Sequence, residues 1–254
     1  MHQAHRTLYS APLRIGLTTA ALALGACSSS NEHAQSPAAV DSARTDALAR
    51  LDESTDTVTQ LHGKIDADVA ARARCVVVVP SLKKGGLIVG GQSGRGFATC
   101  ITDHGWSAPG PVQVSGGTFG AQIGFQSSDV LALVTSDKAM RTLEAGSLKV
   151  GVDASAAAGP VGVGRGRQFG DAEVLSYTRS SGLFAGATLD GTGIQADPDA
   201  IVALYGSTAT FGGILEGLVA PPPHSEVKRF LGAMRETFPP KPIASARLSP
   251  LPSQ

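Results

Sequence analysis

From residue 75 to residue 194 the chain is written in short apolar runs separated by glycine, and this punctuation narrows the possible folds more than any other feature. Residues 75–79 read CVVVV, the signature of a buried strand, and Pro80 closes it. The runs at 87–91 and 96–101 predict two further short strands around a glycine-rich turn, preceded by a turn over 82–86 that holds Lys83 and Lys84. Trp106 opens an extended stretch through Val114. Residues 119–125 and 130–135 predict a hairpin pair, and 172–180 and 183–194 predict later strands. Glycine makes up 31 of 254 residues, without the three-residue period of collagen.

Helical periodicity lies mainly outside this region. Ala47, Leu51, Val58, Leu61 and Ile65 recur at three- and four-residue spacings and predict one or two amphipathic helices between 41 and 73, with Gly63 as a divider. Residues 137–145 read as a short helix capped by Asp137, 198–205 as another capped by Asp197, and 226–238 as a third. Strands outnumber helices, connections are short, and no βαβ rhythm repeats. The expected fold is therefore a single α+β domain over 41–238: β-rich, built of short antiparallel Gly-rich strands, with N-terminal amphipathic helices and short peripheral helices. Residues 239–254 are rich in Pro and Ser and are expected to be disordered.

The first residues have a different character. His2, His5, Arg6 and Arg14 form a basic leader, and residues 15–26 are apolar and small, too few to span a bilayer. Leu24-Gly25-Ala26-Cys27 resembles the bacterial lipobox, in which cleavage exposes a cysteine whose thiol takes a diacylglyceryl chain. The expectation is a signal peptide over 1–26 and a lipidated Cys27, with further acylation by a chain such as palmitate, on a polar tether over 27–40. Ser28 after the cysteine favours an outer-membrane anchor with the domain in the periplasm. Cleavage removes two of the 21 basic residues and none of the 21 acidic ones, leaving a net charge of −2. Cys75 and Cys100 then remain, either as a disulfide in an oxidising compartment or as two buried thiols.

Motifs for catalysis and cofactors are sparse. Gly91 to Gly96 reads GxxGxG, the wrong order for a dinucleotide loop, and no GxxxxGK[ST] occurs. Gly105-Trp106-Ser107-Ala108-Pro109 is one residue short of a nucleophile elbow, with His104 adjacent, but proline replaces the glycine that the tight turn needs. A hydrolase built on Ser107 and His104 is thus a distant reading. Neither the histidines nor the pairs Asp66/Asp68 and Asp197/Asp199 have metal-site spacing, so no metal and no cofactor is expected. The balanced charge carries no nucleic-acid signature. The sharpest cluster is Lys83-Lys84, joined by Arg74 and Arg95 as candidate contacts for anionic lipid head groups. The bland alternative is a solvated turn whose lysines protect an edge.

Seven pieces of sequence in order carry a family resemblance. They are Gly85-Gly86 through Gly96 after the lysine pair, the WSAP block at 106–109, GTFGAQIG at 117–124, Asp129-Val130-Leu131, AGPVG at 158–162, Tyr177 leading into SGLFAG at 181–186, and Tyr205-Gly206. With them the chain resembles the SYLF domain, known from yeast actin-patch proteins, animal phosphoinositide-binding adaptors, plant FYVE proteins and bacterial lipoproteins. The resemblance implies lipid binding, actin binding in the yeast members, and no enzyme. It also implies membrane contact through lysines such as Lys83 and Lys84 and through the N-terminal amphipathic helix. For an exported lipoprotein, phosphatidic acid, phosphatidylglycerol or cardiolipin fit better than phosphoinositides. Two functions follow as expectations: a membrane-anchored lipoprotein that binds anionic phospholipid, or a structural protein-interaction module of the envelope with no lipid ligand of its own.

Overall fold

The computed structural model describes residues 36–86, 89–119, 124–158, 171–180, 183–187, 189 and 191–239. Cys27, the leader, most of the tether and the tail beyond Pro239 lie outside them, as do the AGPVG glycines and parts of the GTFGAQIG and SGLFAG motifs.

The valine run starts the central strand. β1 (Cys75–Gly86) pairs antiparallel with β2 (Val89–Thr102) on one side and with β5 (Gly124–Val134) on the other. β2 continues to β4 (Gly110–Phe119), β10 (Thr192–Ala196) and β6 (Ser147–Lys149). β5 continues to β8 (Val174–Ser180), beside which lie β7 (Ala156–Ala158) and β9 (Leu183–Ala187), and β3 (Gly105–Trp106) pairs with the end of β2. Among the described residues every pairing in this sheet except β7–β8 is antiparallel.

Alternation explains the continuous valine run. Val77 and Val79 face an inner core with Ala98, Val112 and Val134, closed over by α3 (Asp137–Glu144) and α5 (Phe211–Leu215). Val76 and Val78 face an outer core with Phe97 and Leu131, covered by α1 (Pro37–Leu61), the single turn α2 (Ala67–Ala70), α4 (Pro198–Tyr205) and α6 (Ser225–Thr237). A strand covered on both faces has no use for polar alternation. Each fully buried valine or leucine contributes about 1.5–3 kcal/mol of transfer free energy.

Several expected boundaries move. The first helix starts at Pro37, inside the expected tether, because the Ser36 hydroxyl caps Ala39 N–H and proline suits the first turn. Ser136 caps α3 in place of Asp137. The expected turn over 82–86 is strand: Lys83 and Lys84 lie inside β1, paired on both sides. The expected glycine-rich turn between 91 and 96 is likewise the interior of one 14-residue strand. Glycine is used there for close approach, since a Cβ on Gly96 would lie 1.9 Å from the Val78 carbonyl oxygen. The expected hairpin of 119–125 with 130–135 does not form; β5 spans 124–134 and its partners are β1 and β8.

The motifs that carry the resemblance knit the fold. The Trp106 indole N–H donates to the Phe238 carbonyl at 2.8 Å and tethers the end of α6, while the Tyr205 hydroxyl donates to the Pro109 carbonyl at 2.7 Å and ties α4 to the start of β4. Gly206 ends α4 with φ 85°, a conformation glycine adopts without strain. α1 turns its apolar side, including Ala47, Leu51, Val58 and Leu61, onto the sheet. The amphipathic face associated with membrane contact is therefore already occupied.

Candidate functional site

The site is set by an irregularity in β1. Between Val78 and Lys83 the strand gains one residue relative to β2, and the same extra residue appears against β5 between Val79 and Leu82. Ser81 adopts φ 53°, the left-handed region. The bulge is held from the side: Ser81 N–H donates to Asp129 Oδ1 at 3.0 Å, and Asp129 Oδ2 pairs with Arg179 at 2.9 Å.

The extra residue changes which side chains face in. Odd positions face the inner core up to Val79; after the bulge Leu82 faces it. Lys84 follows Leu82 onto the inner face, and Lys83 takes the outer one. The two lysines therefore do not form one patch.

On the outer face Lys83 meets other cations. It lines a groove of about 440 Å³ with Arg95 of β2 and Arg50 of α1, floored by Ser93, Gln113 and Ser115. The register explains the floor: Lys83 pairs with Ser93, Ser93 with Ser115, and Arg95 with Gln113. Arg95 Nε lies 3.4 Å from a carboxylate oxygen of Asp197, which is only 1% exposed and also caps Ala200 N–H of α4. The Arg50 guanidinium is held below its ordinary pKa, first by burial and then by the like charge of Arg95; Asp197, Asp46 and Glu53 oppose this. Three basic side chains thus converge on one polar groove whose lining includes one acid, Glu53, with the buried Asp197 paired to Arg95. Arg50 was not a candidate from sequence. Only its helical phase relative to β1 and β2 could have found it.

Arg74 does not belong to this group. It precedes β1, nine residues from Lys83, which at about 3.3 Å per residue places the two roughly 30 Å apart. Its guanidinium pairs with Asp137 at 2.8 Å beside a separate hollow of about 880 Å³ that also borders His104 and Trp106. Lys84 is the other outlier: half-buried on the inner face, its ammonium is pushed below its ordinary pKa by burial.

Cys75 and Cys100 are register partners at the start of the β1–β2 ladder and are joined by a disulfide. Ser107 is buried, its hydroxyl donating to the Ala108 carbonyl at 3.1 Å and accepting from Cys100 N–H at 3.1 Å, while His104 is exposed at the β2–β3 turn. The strand-to-helix turn of a nucleophile elbow is not formed here. Among the described residues no three side chains gather as metal ligands, and no helix is long and apolar enough to cross a membrane.

The fold is a sheet-centred α+β domain with a cationic groove on its outer face. Residues 115–236 match the family model described as Ysc84, Las17-binding protein actin regulator. The chain is 31% identical over 166 residues to LAS seventeen-binding protein 3 of Saccharomyces cerevisiae, covering 63% of this chain and 36% of that protein. It is 36% identical over 165 residues to the SH3 domain-containing protein PJ696.02 of Schizosaccharomyces pombe, covering 62% and 38%. It is 32% identical over 133 residues to human SH3 domain-containing YSC84-like protein 1, covering 50% and 39%. The chain thus spans a little over a third of the length of these relatives, and no solved structure matches it. Over residues 115–236 the chain is similar to the Ysc84 family, and these matches support the SYLF resemblance carried by the sequence motifs.

Proposed function

We propose that this SYLF domain is a non-catalytic binding module whose outer groove holds the head group of an anionic phospholipid. The observation that carries the reading is the convergence of Arg50, Lys83 and Arg95 over a floor of serine and glutamine side chains. Arg supplies a planar fork for phosphate oxygens and Lys a mobile point charge. Near an anionic surface each basic residue contributes about 1 kcal/mol, so a local cluster offsets the slightly acidic balance of residues 27–254. In this reading the protein is an outer-membrane lipoprotein anchored through Cys27, with its domain in the periplasm. The Cys75–Cys100 disulfide is compatible with that oxidising compartment.

A second reading has one specific observation in its favour, the description of the family as Las17-binding and actin-regulating. Here the same domain is a protein-interaction module, and lipidation provides its only membrane contact. Flotation of the full chain carrying Cys27→Ser separates the two. The lipid reading expects retention on phosphatidylglycerol or cardiolipin vesicles, little on phosphatidylcholine, and loss at high salt. Equal partition to neutral and anionic vesicles would remove it. Co-sedimentation with actin filaments in the absence of lipid would favour the second reading.

A further inference from the structure

The other lysine of the pair faces a different environment. Lys84 lies in a lateral row on the inner face: Gln126 of β5, Lys84 of β1, Gln92 of β2, Gly116 of β4 and Thr192 of β10 are successive register partners. Gly116 lets the sheet curl tightly here, since a Cβ would meet the Gly191 carbonyl oxygen at 2.6 Å and Gln92 Nε2 at 3.1 Å. The curl brings Gln92 onto Thr192, and the Gln92 amide N–H donates to the Thr192 hydroxyl. Gln92 is 5% exposed, and its Oε1 is buried without a hydrogen-bond partner. Lys84 stands beside it, half-buried, and its partners in the row carry no carboxylate.

Two needs therefore lie side by side. A buried carbonyl oxygen without a donor costs roughly 1–3 kcal/mol, and a partly desolvated ammonium calls for an anion. One chemical group meets both: an oxyanion that still carries a proton, with O⁻ accepting from Lys84 and O–H donating to Gln92 Oε1. A phosphate monoester in its monoanionic form, populated around its second pKa of about 6, fits this pattern. Sulfate, which has no proton to give near neutral pH, does not.

We propose that the inner end of the sheet is a second, small-ligand site for a phosphate monoester, held by Lys84, Gln92 and the neighbouring Gln126, on the opposite face from the outer groove. The half-exposure of Lys84 places this site at the mouth of the curled sheet. It does not depend on the lipid reading of the groove, because no side chain is shared. The monoester could be a soluble metabolite or the head of phosphatidic acid.

The test follows the Gln92 side-chain amide by NMR in the full chain carrying Cys27→Ser. Titration with sn-glycerol 3-phosphate should shift it with saturation, and sulfate should bind at least roughly tenfold more weakly. Lys84→Gln should weaken the response about tenfold or more, while Lys84→Arg and the double variant Arg50→Gln/Lys83→Gln should retain it. A soluble source is assigned if glycerol 3-phosphate suffices, and a lipid source if only phosphatidic acid vesicles shift the resonance; either supports the site. An unmoved resonance with both probes, equal binding of sulfate, or an equal response in Lys84→Gln with an unchanged unfolding midpoint would overturn it.

Discussion

The two halves of β1 share a strand and differ in almost everything else. Residues 75–79 carry no charge, are buried on both faces and are locked to β2 by a disulfide. Residues 82–86 contain two lysines, one exposed on the outer face and one half-buried on the inner. Pro80 and Ser81 separate the halves, and the extra residue there reverses the order of faces. The first half holds two cores together; the second presents different chemistry on each side. Charge is tolerated in the second half because Lys83 is exposed and Lys84 only half-buried, whereas an uncompensated fully buried charge is costly.

The contrast can be broken most severely from the first half. Gly96→Ala sets a methyl group against the Val78 backbone, which cannot move aside without parting β1 from β2. The loss should exceed the usual ~3 kcal/mol of overpacking and appear as failure to fold or a greatly lowered denaturation midpoint. Next comes the disulfide. It closes a loop with a sequence separation of 25, so replacing both cysteines by alanine should cost roughly 3 kcal/mol and lower Tm by about 6–12 °C. Vesicle binding by the folded fraction should be unchanged, since the bridge lies at the far end of the strand from the groove. The smallest effect belongs to the junction. Ser81→Gly removes a left-handed strain and should stabilise by about 0.5 kcal/mol, measured by denaturant unfolding, with the bulge and both lysine positions kept. A large loss there would mean that the serine side chain, rather than its backbone, holds the bulge.

Much of this contrast was legible in the residues. The valine run announced a buried strand, Asp197-Pro198 announced a capped helix, and the WSAP and Tyr205-Gly206 motifs carried the family resemblance. Their roles were not legible: Trp106 and Tyr205 bond to carbonyls far away in sequence, and only the fold brings those partners together. Glycines at 91–96 looked like a turn because local propensity cannot distinguish a loop from a strand pressed against another backbone. The lysine pair misled for a different reason. Adjacent residues look like one patch, but a strand sends them to opposite faces, and the bulge decides which goes where. Arg50 was hidden because a helix and a sheet meet over it, whereas Arg74 looked near Lys83 only in a turn that did not form.

The most direct test of the account compares the two lysines in one assay. The full chain carrying Cys27→Ser is floated with phosphatidylglycerol vesicles beside the same chain with Lys83→Gln or Lys84→Gln. Losing one groove charge, worth about 1 kcal/mol, should weaken partition roughly fivefold for Lys83→Gln and leave Lys84→Gln close to the parent. Equal losses from both variants, or a loss confined to Lys84→Gln, would contradict the assignment of anionic-surface binding to the outer groove.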